Sequence, residues 1–485
     1  MQAPSVLILG SGFAGLGMAI ALSKAGHRSF TLLEKAERVG GTWRDNTYPG
    51  AACDVPSHLY SYSFEPNPRW SRRYSGQPEI QSYLEHCAKK YGILPRVRTG
   101  VEVTQARFDE SKSRWRITTR SGDEHEAQVL VLGAGQLSQP VIPRIPGAES
   151  FAGPAFHSAR WDHAADLRQK NVAVIGSGAS AIQIVPELAK VAKKLSVFQR
   201  TAPYVLPRRD YAYSPVARAV FERFPAVARA YRAYIYLSLE ARFFAFSKQS
   251  WLAEALTRVA SWHRERVVTD PELRAKLTPD YPLGCKRILL SDDYYPALVR
   301  DNVELVTEPI AGIEPGAVLT RDGQKHPVDA LIYATGFDSK SFLGNVEIRG
   351  RGASSLSETW AKGAEAYLGM NVPGFPNLFV LYGPNTNLGH NSIVFMLERQ
   401  IGWVMACLEE LGRQRAAAIE VTSEALGEFN RELEAELEKR VWASGCTSWY
   451  VNDAGKNENN WSGFTLEYWW RTRRPDFSAY SLTRA

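Results

Sequence analysis

The sequence predicts an α/β fold in which one strand–turn–helix unit occurs twice, and three observations carry the prediction. Glycine-rich loops stand directly after short apolar runs at two places: Gly10-Ser11-Gly12-Phe13-Ala14-Gly15 after Val6–Leu9, and Gly176-Ser177-Gly178-Ala179-Ser180-Ala181 after Val172–Ile175. At such a turn the backbone N–H groups and the dipole of the following helix hold a pyrophosphate. Glu34, followed by Lys35, stands 19 residues beyond Gly15 at the end of the run Phe30–Leu33. Arg200, followed by Thr201, stands 19 residues beyond Ala181 at the end of Leu195–Phe198. A carboxylate in that place accepts hydrogen bonds from a ribose 2′-OH, whereas a guanidinium suits a 2′-phosphate. The units therefore read as two Rossmann-type dinucleotide-binding domains, one for FAD or NAD and one for NADP.

The remaining elements follow in chain order. Residues 1–140 read as the first part of the FAD-side domain, and its apolar run Gln128–Leu132 leads into Gly133-Ala134-Gly135. Residues 141–170 read as a crossover linker, because Pro140, Pro143 and Pro146 fix φ and discourage helix. The NADP domain is expected over 171–327, with a helical insert at about 213–278. In that insert Val216, Val220, Phe221 and Phe224 share one helix face, and Val227, Tyr231, Tyr234 and Ile235 repeat the spacing. Arg218, Arg223, Arg229 and Arg232 interleave with them, a pattern open to a membrane-surface helix as well as to an insert packed on its own domain. The run Val328–Tyr333 is a further buried strand, and the chain is expected to return to the first domain from residue 328 to 485.

Composition excludes several function classes. The net charge of +7 is spread along the chain rather than clustered, which is not the basic footprint of a nucleic-acid-binding protein, and two anionic cofactors account for its sign. No stretch of 18 apolar residues offers a membrane span. The apolar N-terminal segment is the first strand rather than a signal peptide, so a cytoplasmic protein is expected. Cys53, Cys87, Cys285, Cys407 and Cys446 form no C-x-x-C pair and no metal-ligand spacing, which points to a reducing compartment and to neither a metal site nor a dithiol centre. The oligomeric state is not specified.

Between the loops lies Phe151-Ala-Gly153-Pro-Ala-Phe-His157-Ser-Ala-Arg-Trp161-Asp162, which resembles the F-x-G-x-x-x-H-x-x-x-W-[PD] fingerprint of Baeyer–Villiger monooxygenases. Upstream, Gly40-Gly41-Thr42-Trp43-Arg-Asp-Asn-Thr-Tyr48-Pro-Gly-Ala-Ala-Cys-Asp54-Val55 resembles the family's second fingerprint. Flavin-containing N- and S-oxygenases of similar design usually lack the tryptophan that stands here as Trp161. The tail from Trp461 departs from the cyclohexanone and phenylacetone enzymes and resembles more the hydroxyacetophenone-type branch, without that branch's N-terminal extension.

The resemblance implies FAD and NADPH as cofactors, and O₂ and a ketone as the small-molecule partners. NADPH reduces the flavin, the reduced flavin takes up O₂ as a flavin peroxide, and attack on the ketone leads to an ester or lactone. Such chemistry calls for a permanent cation beside the flavin, and arginine is charged at any working pH. Arg287, in Gly284-Cys285-Lys286-Arg287, matches the family's catalytic arginine, and Asp54 matches the carboxylate that positions it. Taken alone, Lys286-Arg287 reads as a solvated surface pair. With the fingerprints, Lys286 joins Arg200 and Thr201 around the 2′-phosphate. Trp43 and Tyr48 pack near the isoalloxazine, and Trp449 resembles the tryptophan that reaches towards NADP and substrate. His157 belongs to the family's domain-motion fingerprint with Phe151, Gly153 and Trp161, although an unperturbed histidine also titrates where an acid–base role needs it. The loop Gly383–Asn391 reads either as a helix cap or as a set of N–H donors facing the flavin. Two other functions compete: sulfur or nitrogen oxidation by the same flavin chemistry, and a non-catalytic nucleotide-binding protein, which broken loops or a missing Arg287 would mark.

Overall fold

The computed structural model describes residues 4–338, 342–446, 448–452 and 454–484. Two five-stranded parallel sheets organise them. The first runs Leu378–Val380, Val129–Leu132, Val6–Leu9, Phe30–Leu33, Val97–Arg98. The second runs Val303–Val306, Lys194–Phe198, Asn171–Ile175, Ala330–Tyr333, Ala155–His157. Val6–Leu9, Val129–Leu132 and Ala330–Tyr333 are buried at every position, which is why they read as unbroken apolar runs rather than alternating ones. In each sheet the strand before the glycine loop has its sequence neighbour on one side and a later strand on the other. Strand order reverses there, and the crevice at the carboxyl ends of those strands is the ligand position of such sheets.

Glycine makes the first turn possible. Gly10 has φ +91°, and a Cβ there would lie 2.6 Å from the Gly133 carbonyl oxygen. A Cβ on Gly15 would lie 1.8 Å from the Gly10 carbonyl oxygen, so the helix Phe13–Lys24 sits this close to the loop only without a side chain. The long helix Ile393–Gln414 packs across Phe13–Lys24 and closes the core of the first domain. A four-stranded sheet (Glu347–Arg349, Val103–Asp109, Arg114–Thr119, Glu124–Ala127) packs beside it.

The structure revises three expectations. Ala330–Tyr333 pairs with Val172–Ile175, so the chain leaves the second sheet after Tyr333 and not at residue 328. Ala155–His157 pairs with Leu331–Tyr333 as the edge strand of that sheet, so the stretch read as a linker is partly sheet. The insert consists of the helices Pro215–Arg223, Pro225–Glu240, Trp251–Glu265 and Pro271–Lys276. Its expected apolar face is divided. Phe221 stacks on Tyr231 with ring centres 5.3 Å apart and Ile235 is buried, but Val216, Phe224 and Tyr234 are 72%, 55% and 65% exposed. A helix with apolar residues on more than one side does not declare which side is covered. Among the described residues no helix is long and apolar enough to cross a membrane.

Candidate functional site

The carboxyl ends of both sheets open onto one cleft of about 1330 Å³, larger than the roughly 300–1,000 Å³ of a pocket for one drug-sized ligand. On the side of the first sheet its wall carries Gly10, Gly12, Phe13, Ala14, Glu34, Lys35, Gly41, Thr42, Trp43, Tyr48, Asp54 and Val55. On the other side it carries Gly176, Gly178, Ala179, Ser180, Arg200, Thr201, Lys286, Arg287 and Trp449. Gly15 stands behind the wall in its helix. Phe151, Gly153, His157 and Trp161 are not part of it.

The ends of the two loops differ in charge as their sequences do. Glu34 is buried at the shoulder of the first loop. Its Oε2 accepts hydrogen bonds from the Ser11 N–H (3.0 Å) and hydroxyl (2.7 Å), and its Oε1 pairs with Arg44 at 2.9 Å. The carboxylate is thereby fixed beside the loop. At the second loop Arg200 and Lys286 converge. Burial, and then the nearby Arg200 charge, push the Lys286 ammonium below its ordinary range, and its Nζ lies 4.6 Å from the centre of the Tyr281 ring. A second cation crowding Lys286 at one spot fits a doubly charged anion.

Arg287 donates from Nε (3.0 Å) and Nη2 (2.5 Å) to the same oxygen of Asp54, and both side chains keep about a third of their surface open (32% and 31%). Asp54 raises the guanidinium well above its ordinary pKa, which keeps it a permanent cation. Burial alone would lift the Asp54 carboxyl, but the charge and hydrogen bonds of Arg287 override it and hold the carboxyl below the usual range. Arg208 Nη2 donates to the Cys53 carbonyl oxygen at 2.9 Å and so braces the backbone just before Asp54. Cys53 is buried and its thiol is pushed far up by that burial, so it is a packing residue.

Tyr48 and Trp43 line the cleft in different ways. Trp43 Nε1 donates to the Tyr60 hydroxyl at 3.1 Å, whereas the Tyr48 hydroxyl donates to Gln183 Oε1 at 3.0 Å. Gln183 Nε2 in turn donates to the Ala52 carbonyl oxygen at 3.0 Å, so one glutamine on the helix after the second loop ties the two nucleotide units together. The loop Gly383–Asn391 reaches the wall through Asn387, Leu388 and Asn391. Ser392 makes no side-chain cap at the start of the following helix, but its N–H donates to Asn391 Oδ1 at 2.8 Å, and the Asn385 and Asn387 N–H groups donate to the Glu458 and Asn459 carbonyl oxygens at 2.8 Å each.

His157 lies at the sheet edge, buried against Phe337 with ring centres 5.6 Å apart. Its Nδ1 accepts from the Ala159 N–H at 3.1 Å, and burial lowers its pKa, so it is a neutral ring away from the cleft. Trp161 packs edge-on to Phe156 at 5.1 Å and flanks a shallow depression shared with Lys35, Arg44 and Thr47. Among the described residues no group of three His, Cys, Asp or Glu side chains is placed to hold a metal ion.

Sequence reasoning missed Arg44, Gln183, Arg208 and one covalent bond. Cys285 and Cys446, 161 residues apart with Cα atoms 5.6 Å apart, form a disulfide that the reading of the five cysteines did not anticipate. Short-spacing rules do not see such a pair.

A family profile described as pyridine nucleotide-disulphide oxidoreductase matches residues 7–235. Over 480 residues the chain is 44% identical to a Baeyer-Villiger monooxygenase of Pseudomonas aeruginosa, covering 99% of this chain and 91% of that protein. An oxidized steroid monooxygenase bound to NADP superposes with a TM-score of 0.88 at 31% identity, covering 99% of this chain and all of the other. OTEMO in complex with FAD and NADP superposes with a TM-score of 0.90 at 28% identity over the whole of both chains.

Proposed function

The chain belongs to the Baeyer–Villiger monooxygenase family, and from that premise we propose that it binds FAD and NADPH and uses O₂ to convert a hydrophobic ketone, aryl ketones included, to an ester or lactone. The observation that carries the reading is that Arg287, paired with Asp54, stands on the wall of the same cleft as both glycine loops. The residues present fit two dinucleotides: only glycine at position 10, whose Cβ would collide with the Gly133 carbonyl oxygen, lets the first turn form beside the cleft, and Arg200 with Lys286 offers a phosphate site at the second. When bound, FAD and NADPH supply the oxygen-activating and hydride chemistry. The chain's own work is to orient and to hold charge. Gly10–Gly15 and Gly176–Ser180 hold the pyrophosphates, and Glu34 holds the ribose on the first side. Thr42, Trp43 and Tyr48 pack the flavin side, and Trp449 faces NADP and substrate. Arg287 stabilises negative charge that develops on oxygen in the cleft, and Asp54 fixes its direction. Phe151, Gly153, His157 and Trp161 act in domain motion. Residues 1–140 and the segment after the second sheet form the FAD domain around an NADP domain, and the protein works in the cytoplasm.

The test is NADPH oxidation and oxygen uptake with a panel of ketones, with product analysis. Ester or lactone formed in step with oxygen consumed supports the reading. Sulfoxide or N-oxide formation without any ester from the panel overturns it.

A further inference from the structure

The loop that carries Arg287 and the segment that carries Trp449 are joined by a hydrogen bond and by a covalent bond. Trp442 Nε1 donates to the Gly284 carbonyl oxygen at 3.0 Å, and Cys285 is bonded to Cys446. One and two positions beyond Cys285 stand Lys286 and Arg287; two and three positions beyond Cys446 stand Ser448 and Trp449; all four line the cleft. Cys285 is buried, 1% exposed, whereas Cys446 is half-buried at the end of the exposed turn Ala443–Gly445. The remaining thiols of Cys53, Cys87 and Cys407 are buried, and burial raises each of them, so they are poor partners for exchange. Reduction is also accommodated, because Cys446 Sγ lies 3.3 Å from the Val441 carbonyl oxygen, an acceptor ready for its S–H.

We propose that Cys285 and Cys446 are an oxidative modification site: a reversible disulfide that fastens the Trp449 segment to the Arg287 loop and so tightens the binding of the nicotinamide dinucleotide. In the forward step hydrogen peroxide is the oxidant. Two S–H bonds and one O–O bond break, one S–S bond forms, and two electrons and two protons pass to oxygen as two waters. In the reverse step a dithiol thiolate attacks Cys446, the sulfur open to solvent. Its second thiol then resolves the mixed disulfide, leaving two cysteine thiols and an oxidised dithiol. In a reducing compartment such a bond is made and broken rather than permanent. With the bond closed, the wall at Trp449 is ordered before the dinucleotide arrives. With it open, the Trp449 backbone is still held by Asn459 Nδ2 at 3.0 Å, but the covalent tie to the Arg287 loop is lost and binding has to restore that fastening, at a cost of about three- to tenfold in affinity.

The test compares the FAD-loaded protein after millimolar hydrogen peroxide with the same protein after dithiothreitol. Non-reducing peptide mapping is expected to find the Cys285 and Cys446 peptides linked after peroxide and separate after dithiothreitol. Titration with NADP⁺ is expected to give a dissociation constant about three- to tenfold larger for the reduced protein, and Cys446→Ser under peroxide should match the reduced value. Absence of the linked peptide after peroxide overturns the site. A linked peptide with the same NADP⁺ affinity in both states overturns its effect on the dinucleotide. The wild-type comparison needs no substitution, so a poorly folding variant does not blunt it. The mapping is also independent of the proposed reaction, so its failure and that of the oxygenation assay are separate results.

Discussion

Replacing Arg200 with alanine isolates one charge at the second loop. Arg200 is exposed at the end of Lys194–Phe198, and Lys286 approaches the same spot from the loop before Leu289. A hydrogen bond to a charged group contributes about 1.5–3 kcal/mol, and an exposed one lies at the low end, so the variant should lose about 1.5 kcal/mol towards a 2′-phosphate, about tenfold in affinity. A dinucleotide without that phosphate has nothing to lose there. Arg200→Ala is therefore expected to raise the NADPH dissociation constant and KM about tenfold while leaving those of NADH within about twofold. Raising the salt concentration should weaken NADPH binding to the wild-type protein more than to the variant, since one of two screened cations has gone. The assay is anaerobic stopped-flow bleaching of the flavin at graded NADPH and NADH concentrations. Equal losses for the two dinucleotides, or no loss for either, would refute the charge argument.

The other expectations are shorter. Arg287→Ala should leave flavin reduction by NADPH largely intact while ester formation falls by about 10²–10³, the cost of one donor to a developing oxyanion; retained ester formation contradicts the role given to Arg287. His58 is buried among the rings of Tyr213, Phe221 and Tyr231, and burial, then the Arg232 charge, lowers it to about 4. The unfolded chain binds a proton near pH 6.5 that the folded chain refuses, so stability is lost as pH falls from about 6.5 towards 4, by up to about 3 kcal/mol. Urea titrations across that window should show the fall in wild type and a flatter course in His58→Phe. Lys286 loses its charge at lower pH than an ordinary lysine, so the KM for NADPH should rise on the alkaline side earlier than kcat at saturating NADPH declines; a parallel fall of both would place the alkaline limit elsewhere.

The parts of the site that were legible in the sequence are those set by one unit's own geometry. A strand, a tight turn and a helix of fixed rise bring the residue 19 positions on to the mouth of the turn, so Glu34 and Arg200 could be placed by counting. The pairing of Asp54 with Arg287 spans 233 positions and was legible only through the motifs that contain them. Where neither rule operates the sequence was silent. Gln183 reaches Tyr48 across 135 positions, and Cys285 meets Cys446 across 161, with no local period to mark either contact. Strand Ala330–Tyr333 was read as the start of the returning chain because its apolar run fits either sheet, and only its register with Val172–Ile175 decides between them. The insert helices show the same limit from another side: periodicity fixed their helical state, while the buried side depended on what the fold places against them.

If Arg287 has the role proposed above, the Asp54–Arg287 pair shows why such a charge is kept next to its opposite. A guanidinium standing alone in the cleft wall would be costly to desolvate and free to turn away, whereas full burial of the pair would spend its charge internally. Here both hydrogen bonds fall on one carboxylate oxygen, and about a third of each side chain remains open. Asp54 is shifted down and Arg287 up, so neither changes state across the neutral range. His157, the other obvious titrating group in the motifs, is neutral, buried and off the cleft wall. The cleft therefore holds its charge by fixed ions rather than by a side chain poised to exchange protons. That arrangement suits a reaction in which the cofactors carry the bond-making and the protein has to keep a negative oxygen stable and correctly aimed.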